Sequence, residues 1–563
     1  MRRFRIPLII FALAATVAAL ATAGSAGDPR RAIRDELPGL LPPGANLYLG
    51  FTDLGADLER LGSSALWGAF EGDDNHEAFV RSRLWLRFQD RLTQLEALVG
   101  APLGGPSLQS MAAGTCALAF YQIGEIEFVY LAPEEMADGL LRSLGEMTGE
   151  FQTARHGDVS YRIVRDDAQG LALAWASADG YLVVSDRELL LQATLDRIGG
   201  AGASLADDPG FHDVVDSLPA DGDQLIYLNL AGLRDDGYFR RYWMQKDRVL
   251  LAEHDAFGAT AVWEEGQVSE HRLLSREVAG APDVPDAPDP TEAFRVLPGN
   301  ALAAKAFAAA DPAEAAAVFL DGGRATGEPL EDFRTPLHDL LEAGSISRAE
   351  FDALVGDRFA VAVVARQYDP TFTLLDRVVV TRPADRAAAE AAFERVVATL
   401  PDQVTERLAG DTARPFPMVA ETVGGTEVLT FDLYTRGVYA PTLAWVDGWL
   451  VMANTVEGAG AVIEAAGGRG SLDRVGDARR LATASGPLRQ ALYLDVTASR
   501  EAYQDVIGAM ERGDTFRSWN AQEFWGERMR ALVNALETVR GVRSWSTETP
   551  AGLRGETVYL LEG

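Results

Sequence analysis

The sequence has few of the residues that build disulfides, basic surfaces and histidine-rich sites. Only one of its 563 residues is a cysteine, Cys116, and a single cysteine excludes an intramolecular disulfide. Because Cys116 lies inside the apolar run TCALAF, it is predicted to be buried as a small hydrophobe. Histidine occurs six times, and lysine occurs only at Lys246 and Lys305, so almost all basic residues are arginines.

Basic residues are also outnumbered by acidic ones. The chain has 51 Lys and Arg residues against 83 Asp and Glu residues, which gives a formal net charge of −32 at pH 7. A field of this sign repels nucleic acid and anionic lipid headgroups, so nucleic acid is excluded as a partner. The acidic balance favours solubility but identifies no partner.

Apolar stretches long enough for a membrane helix are absent after residue 26. Before it, three arginines among the first five residues precede an apolar run at 6–21 and the small-residue stretch ATAGSAG, which is the order of a secretory signal. Residues 1–26 are predicted to be a signal peptide cut after Ala23 or Ala26, or an uncleaved anchor in the inner membrane. Either way, the rest of the chain is predicted to be periplasmic or secreted.

One stretch of the sequence occurs twice. ADGYLVVS at 178–185 and VDGWLVMA at 446–453 are identical at four of eight positions, at an offset of 268. Glycine pairs at 199–200 and 467–468 keep this offset, and LIYLNL matches ALYLDV at an offset of 266. A collinear series of this kind predicts two homologous repeats in tandem.

A proline-rich stretch separates the two halves. GAPDVPDAPDP at 280–290 interleaves prolines with aspartates, and proline this dense favours an extended, semi-rigid spacer. The predicted organisation, after the signal at 1–26, is a first repeat at 27–280, a Pro/Asp linker at 281–291 and a second repeat at 292–563.

Short apolar runs rich in β-branched and aromatic residues follow one another in both halves, with turns between them. They do not alternate one for one with helices, which favours a mainly antiparallel sheet with helices packed on one face. The predicted fold class is therefore α+β in each of two tandem repeats. Asp-Gly pairs at 179–180 and 447–448 suit the positive φ of a tight turn and predict a β-hairpin in each half.

A helix is predicted after each of these hairpins. In the first half, Ser185 and Glu188 are predicted to form a capping box; in the second, Asn454 and Glu457 take the corresponding places. Each helix is predicted to end at its glycine pair.

The stretch EFDALVGDRFAVAVV at 350–364, an acidic-leucine segment followed by glycine and an apolar strand, resembles a bacterial envelope family catalogued as domain of unknown function 3352. The Leu-Pro pair at 41–42, the DGYLVVS hairpin and the closing GLRGETVYLL at 552–561 are also similar to it, and the resemblance runs from about Leu37 to the end of the chain. The first half departs from the pattern, because SLQSMAAGTCALAF at 107–120 lacks the acidic lead-in. The resemblance implies an exported or anchored protein and brings no catalytic residues.

The sequence contains no familiar catalytic motif. It has no GxSxG elbow and no SxxK arrangement, and GAPLGGPS at 100–107 has proline where a phosphate loop needs lysine. Three His-Asp pairs at 212–213, 254–255 and 338–339 and the acidic stretch EGDDNHE at 71–77 lack the spacing of known metal sites, which favours chance pairing and a solvated turn. No catalytic residue, metal ligand or cofactor is predicted.

Two segments combine large aromatic residues with arginine in this acidic chain. Residues of this kind are enriched in contact patches, so the segments are candidate contacts for a partner or an apolar ligand. The alternative is an aromatic stripe that covers the sheet of its own domain. The candidate residues are Tyr238, Phe239, Arg241, Tyr242, Trp243, Phe516, Trp519, Phe524 and Trp525.

These observations favour an exported, non-enzymatic envelope protein that works as a binding or scaffold module, with another envelope protein or an apolar ligand as its partner. One alternative is a periplasmic carrier of lipid or another apolar molecule, held in a cavity lined by tryptophans such as Trp175, Trp243, Trp445 and Trp525. A second alternative is an envelope hydrolase whose site has no recognisable motif.

Overall fold

The structure is a computed structural model. It describes residues 28–63, 83–101, 114–123, 125–168, 170–235, 254–264, 266–275, 287–322, 334–369, 372–409, 416–431, 439–482, 488–512 and 536–561. The predicted signal at 1–26 lies outside these ranges, as does the linker up to residue 286. The chain forms two compact units: the first comprises the described part of 5–282 with Thr549–Glu556, and the second the described parts of 283–548 and 557–563.

The first unit is an antiparallel sheet with helices. Its strands run in the spatial order β4–β5–β6–β7–β3–β2–β1–β8–β9–β10. They are β1 (Leu47–Phe51), β2 (Cys116–Gln122), β3 (Glu127–Pro133), β4 (Gln152–His156), β5 (Val159–Asp166), β6 (Leu171–Ala178), β7 (Tyr181–Ser185), β8 (Gln224–Asn229), β9 (Ala256–Glu264) and β10 (Gln267–Ser275). The helices are α1 (Leu54–Ser63), α2 (Arg83–Val99), α3 (Asp138–Glu146), α4 (Glu188–Ile198), α5 (Pro209–Ser217) and α6 (Leu230–Asp235), with short helical turns at Pro29–Arg31, Ala32–Glu36, Leu37–Gly39, Glu134–Met136 and Leu205–Asp207.

The second unit is also an antiparallel sheet with helices. Its strands run in the order β14–β15–β16–β17–β13–β12–β11–β18–β19. They are β11 (Ala301–Ala308), β12 (Arg358–Asp369), β13 (Phe372–Arg382), β14 (Met418–Val423), β15 (Thr426–Phe431), β16 (Thr442–Val446), β17 (Trp449–Ala453), β18 (Gln490–Asp495) and β19 (Val539–Thr549); the last strand of the chain is β20 (Gly552–Leu561). The helices are α7 (Pro312–Gly322), α8 (Pro336–Glu342), α9 (Arg348–Val355), α10 (Arg386–Ala409), α11 (Val456–Ala466), α12 (Gly476–Leu481) and α13 (Val496–Arg512), with 3₁₀ turns at Pro290–Arg295, Leu472–Arg474 and Leu536–Thr538.

Helices cover both faces of the sheet in the first unit. Successive residues of β6 belong to different hydrophobic clusters: Ala174 packs in the cluster that contains Leu191 of α4, and Leu173 in the cluster that contains Val99 of α2. Since side chains alternate between faces along a strand, α4 and α2 lie on opposite sides of the sheet.

The second unit shows the same layering. In β17, Val451 packs in the cluster of Val462 from α11, whereas Leu450 packs in that of Val396 from α10. The α+β class is as predicted, but the expectation of helices on one face is wrong. Continuous apolar runs such as WLVMA, without polar alternation, are typical of strands buried on both faces.

The Asp-Gly pairs form the tight turns predicted from the sequence. Asp179 and Gly180 have φ of 48° and 82°, and β6 and β7 pair directly across them. Asp447 and Gly448 have φ of 49° and 79° between β16 and β17. Both β-hairpins are therefore confirmed, with two residues of positive φ in each turn.

The helices after these hairpins end at the glycine pairs as predicted, but the capping prediction is wrong. Ser185 still belongs to β7, and its hydroxyl donates to the carbonyl of Phe128 on β3, so it does not cap α4. Glu188 instead pairs with Arg165. In the second unit the cap of α11 is Thr455, whose hydroxyl accepts the N–H of Gly458 at 3.0 Å, one residue later than predicted.

Within the described ranges, no helix is both long enough and apolar enough to cross a membrane.

Candidate functional site

The predicted aromatic-arginine contact residues lie outside the described residues. This holds for the whole set, which is Tyr238, Phe239, Arg241, Tyr242, Trp243, Phe516, Trp519, Phe524 and Trp525. The acidic stretch at 71–77 and most of GAPLGGPS are outside as well. The assignment of the aromatic-arginine residues as a binding surface stays a prediction.

Two of the tryptophans proposed for a ligand cavity are described, and both pack on protein side chains. Trp175 is buried. The centroid of its ring lies 4.5 Å from the centroid of the Phe151 ring and 5.4 Å from the guanidinium carbon of Arg162. Trp445 lies edge-on to Phe393 at 5.6 Å. These contacts are those of core and edge packing residues.

The three His-Asp pairs have different surroundings. His212 is exposed on α5, and its Nδ1 faces Asp216 at 3.4 Å rather than the adjacent Asp213. His254 is buried near β9, where Asp255 pairs with Arg234 at 2.6 Å. The third pair belongs to the second unit, at the start of α8.

His338 is a structural residue that caps its own helix. The backbone N–H of Thr335 donates to Nδ1 at 3.1 Å, and Nε2 lies 3.2 Å from the carbonyl oxygen of Phe319, on whose ring the imidazole stacks at 5.1 Å. Burial lowers the pKa of His338, so the ring is neutral at pH 7. Because both ring nitrogens are engaged, this histidine is not available to a metal ion. In the part of the chain that the structure describes, no group of three or more His, Cys, Asp or Glu side chains is arranged to hold a metal.

Cys116 is buried, as predicted. Burial raises the pKa of its thiol to about 12. The thiolate is the nucleophilic form, so Cys116 is an inert core residue at neutral pH.

Two buried carboxylates each pair with an arginine inside the fold. Asp186, which follows β7, lies 2.8 Å from Nη2 of Arg91 on α2. Asp376 of β13 lies 2.7 Å from Nε of Arg366 on β12. Both carboxylates are almost fully removed from solvent, and their pairing supplies the charge compensation that burial requires.

A different arrangement is found on the surface of the second unit, where three arginines surround one carboxylate. Asp477 Oδ1 is 3.8 Å from Nη1 of Arg480 and 4.0 Å from Nη1 of Arg543, and Oδ2 is 4.0 Å from Nη2 of Arg540. These separations are ion-pair distances, longer than the roughly 2.7–3.2 Å of a hydrogen bond. The four side chains, called the Asp477 cluster below, have three positive charges and one negative charge within a strongly acidic chain.

Local packing fixes this cluster. In α12, Ala478 and Leu481 are buried three residues apart and anchor the helix on the core. Asp477 and Arg480 directly precede these two buried residues in the helix, so their side chains point away from that core. The Arg480 side chain is 64% exposed, so a molecule in solution can reach it.

Strand β19 supplies the other two arginines. Arg543 stands opposite Tyr493 of β18, and its side chain is mostly covered. Arg540, three residues earlier, is 58% exposed. Burial, with the neighbouring carboxylates of Asp495 and Asp477, raises the pKa of Tyr493 to about 12, so the phenol beside the cluster keeps its proton.

The sequence interpretation missed this cluster. Its members come from two segments about sixty residues apart, and only the pairing of β18 with β19 brings them together. One signal was present: DARR at 477–480 and RGVR at 540–543 each contain two arginines within four residues, in a chain where acids dominate. Chemically, the arrangement combines guanidinium groups with a carboxylate, and these four side chains include no nucleophile with a partner base.

No family model matches this chain, and no curated protein matches it. Two solved structures match it, and these are crystal forms I and III of TP0453. The first is 13% identical, covers 44% of this chain and 80% of the TP0453 chain, and has a TM-score of 0.22. The second is 11% identical, covers 44% and 81%, and has a TM-score of 0.23. Scores of this size carry no argument about fold or function.

Proposed function

We propose that this chain is an exported envelope protein, built from two homologous repeats, that acts as a binding or scaffold module and not as an enzyme. The N-terminal order of arginines, apolar residues and small residues supports export. Membership of the family catalogued as domain of unknown function 3352 is part of the proposal and rests on the residues that resemble it.

The observation that carries the two-repeat part of the proposal is the strand order within each unit. If each of β1 to β9 is matched with the strand ten numbers later, the order β4–β5–β6–β7–β3–β2–β1–β8–β9 becomes β14–β15–β16–β17–β13–β12–β11–β18–β19 without a change. Two unrelated antiparallel sheets could adopt many other strand orders. A duplicated ancestor accounts for the agreement, and so for the repeated sequence.

A hydrogen bond at the end of each matched hairpin also supports a duplicated ancestor. In the first unit, the backbone N–H of Phe128 donates to Oδ1 of Asp186 at 2.8 Å. In the second, the N–H of Arg377 donates to Oδ1 of Asn454 at 2.9 Å. Asp186 and Asn454 are 268 residues apart, which is the offset of the repeated sequence.

A binding role is favoured over catalysis by what the described side chains can do. The Cys116 thiol is buried and protonated, and both nitrogens of His338 are engaged. The buried carboxylates Asp186 and Asp376 neutralise arginines that hold the fold together. On the described surface of the second unit, the Asp477 cluster brings guanidiniums together, and groups of this kind recognise anions.

The export proposal is tested by the location of the chain in its own host. The protein would carry a C-terminal tag, and protease would be added to intact cells, to cells with a permeabilised outer layer and to lysed cells. Digestion before lysis is the expected result, with a cytoplasmic protein as the protected reference. A matched variant with Arg2→Glu, Arg3→Glu and Arg5→Glu, which reverses the charge of the signal, is expected to stay protected. Protection of the wild-type chain until lysis would contradict the proposal.

A further inference from the structure

Strand β14 is the outer strand of the sheet in the second unit. It pairs with β15 across a two-residue glycine turn at 424–425, whose φ angles are 58° and 87°. A turn of two residues brings Val423 and Thr426 into a hydrogen-bonded pair, so the backbone groups of Val423 point towards β15. Because this direction alternates along a strand, the backbone N–H and C=O groups of Ala420 and Thr422 point away from β15, towards the outer edge.

The described residues leave this outer edge uncovered. Within the described ranges, no backbone hydrogen bond reaches β14 apart from those of its ladder with β15. All four residues from Val419 to Thr422 are exposed, and the apolar side chain of Val419 is 39% exposed. Successive residues of a strand belong to opposite faces, so this stretch is open to solvent on both faces. An edge of this kind is a template for another strand.

The corresponding edge of the first unit is protected by charge. Its outer strand is β4, whose turn at 157–158 lies 267 positions before the turn at 424–425. Arg155 of β4 places a positive charge at the edge, and its Nε donates to the carbonyl oxygen of Gly157 at 3.1 Å. Charged side chains are a common device against pairing between edges. The matching residue of β14 is Thr422, which has no charge.

The open edge has a carboxylate on each face of the sheet. Glu421 lies on the same face as Val423, which packs on the hydrophobic cluster of α11. Glu427 of β15 stands opposite Thr422 and therefore lies on the other face. Both glutamates are exposed, and within the described part of the chain neither forms an ion pair or a side-chain hydrogen bond.

These two negative charges are specific to the second unit. At the matched positions, 267 residues earlier, the first unit has Ala154 and Ser160. The duplicated scaffold therefore does not require an acid at either place. The carboxylates are available to a molecule that approaches the edge.

The positions of the glutamates define which strand fits. The described strand pairs of this sheet are antiparallel, so an added strand is expected to be antiparallel as well. Its residue opposite Glu421 would be a direct cross-strand neighbour of that carboxylate. The preceding residue, opposite Thr422, would lie on the face of Glu427, two strand spacings or about 10 Å away, which two long side chains bridge. Two successive basic residues would thus meet both carboxylates.

We propose that the outer edge of β14 binds an extended segment of a partner protein that contains two successive basic residues. The backbone groups of Ala420 and Thr422 supply the ladder hydrogen bonds, and the two glutamates select the basic segment. The net charge of −32 attracts such a segment over a longer range. A second copy of the chain is the less favoured occupant, because it brings the same glutamates and the same net charge.

The proposal names a partner for the proposed binding role and rests on that role. Failure of export and failure of edge binding are separate results, since the purified chain can be titrated wherever the host places it.

The test is a titration of a fluorescently labelled peptide, acetyl-Thr-Arg-Arg-Val-Val-Thr-amide, with the purified chain, followed by fluorescence anisotropy. The neutral reference peptide has glutamine in place of both arginines. The chain is expected to bind the basic peptide about tenfold more tightly, since each exposed charge pair contributes about threefold. Glu421→Gln is expected to weaken binding of the basic peptide about threefold, and added salt is expected to weaken it as well.

A proline in β14 tests the role of the edge itself. Ala420→Pro removes an N–H that points outward and none that bonds to β15, so it is expected to weaken binding about tenfold without loss of the fold. Thr153→Pro, at the matched position of β4, is the control and is expected to leave binding unchanged. Circular dichroism checks the fold of both variants. If Ala420→Pro does not fold, Thr422→Arg replaces it, because it copies the charge of Arg155 at an exposed position and is expected to repel the basic peptide.

Tighter binding of the basic peptide that is lost in the β14 variant and kept in Thr153→Pro supports the proposal. The proposal is overturned if the wild-type chain binds neither peptide, if it binds both equally, or if the β14 variant binds as the wild type does. An equal loss in Thr153→Pro also overturns it. Light scattering after size-exclusion chromatography examines the second copy: a wild-type dimer that the β14 variant dissociates would show that another copy occupies the edge, against the proposal.

Discussion

The carboxylate of Asp186 lies 2.8 Å from the guanidinium of Arg91, and the aspartate side chain is completely buried. The pair ties α2 to the end of β7, and the other carboxylate oxygen accepts the backbone N–H of Phe128 from β3. Burial raises the pKa of Asp186 despite these favourable partners. A charge held in this way is tolerated only while its counter-charge is present.

Replacing one partner of this pair is expected to cost more than replacing the other. Arg91→Leu leaves a buried carboxylate without its cation and should lower the free energy of unfolding by about 3–5 kcal/mol. Asp186→Asn keeps the acceptor for Phe128, as Asn454 does for Arg377, and should cost less. Urea denaturation of both variants and of the double variant measures the difference. Equal losses for the two single variants would contradict this role.

The buried His338 predicts a pH dependence of stability. Its pKa is lowered in the folded state by burial, so the unfolded chain binds the proton more tightly. The stability contributed by the neutral ring is therefore fully present above the ordinary value of 6.5 and is lost as pH falls below it, by up to about 1.4 kcal/mol per pH unit.

His338→Gln tests this prediction, because glutamine keeps an acceptor at the third position of a capping box and does not titrate. The free energy of unfolding from urea denaturation is compared at pH 5 and pH 7 in the two proteins. The variant is expected to lose less stability on acidification than the wild type. The same pH dependence in both would show that His338 is not the source.

Replacement of Gly258 is predicted to destabilise the fold because α5 packs directly on this residue. In Gly258→Ala the new Cβ would collide with Val214, and a loss of about 1–3 kcal/mol is expected from overpacking. The companion change Val214→Ala removes the colliding methyl group, so the double variant should lose less than the two single losses combined. Gly476→Ala is the control, since nothing lies within 4 Å of its Cβ position. Thermal unfolding that shows additive losses would contradict the packing argument.

The two Asp-Gly turns are predicted to respond alike. Neither Gly180 nor Gly448 has an atom within 4 Å of a built Cβ, so alanine at either position meets only the backbone cost of positive φ. Gly180→Ala and Gly448→Ala are each expected to cost about 1 kcal/mol, measured by urea denaturation. Asp179→Asn should be nearly neutral, because asparagine also suits this turn. A neutral effect of either alanine would argue against the turn geometry.

Local chemistry made part of the fold predictable from the sequence. The hairpins could be found because Asp-Gly is one of few pairs that adopt positive φ at two successive positions, and Gly199 and Gly467 end the helices as expected. The start of α4 was missed because Ser185 is engaged by the neighbouring strand, a contact that spacing along the chain does not reveal.

The candidate site depended on tertiary contacts and could not be found by motif. Asp477 and Arg540 lie 63 positions apart, and they meet because β18 and β19 pair beside α12. Strands separated only by turns favour the prediction of helices on one sheet face. The length of the apolar runs is the better guide, because it indicates strands buried on both faces.

The most direct test of the account is site-specific photo-crosslinking in cells of the host. A photoreactive phenylalanine analogue would replace Arg479, an exposed neighbour of Arg480, and in a second strain would replace His212, which is exposed at the matching position of the first unit. The account predicts an adduct between position 479 and a component of the envelope, and no such adduct at position 212. No adduct at 479, or the same adduct at both positions, would contradict the account.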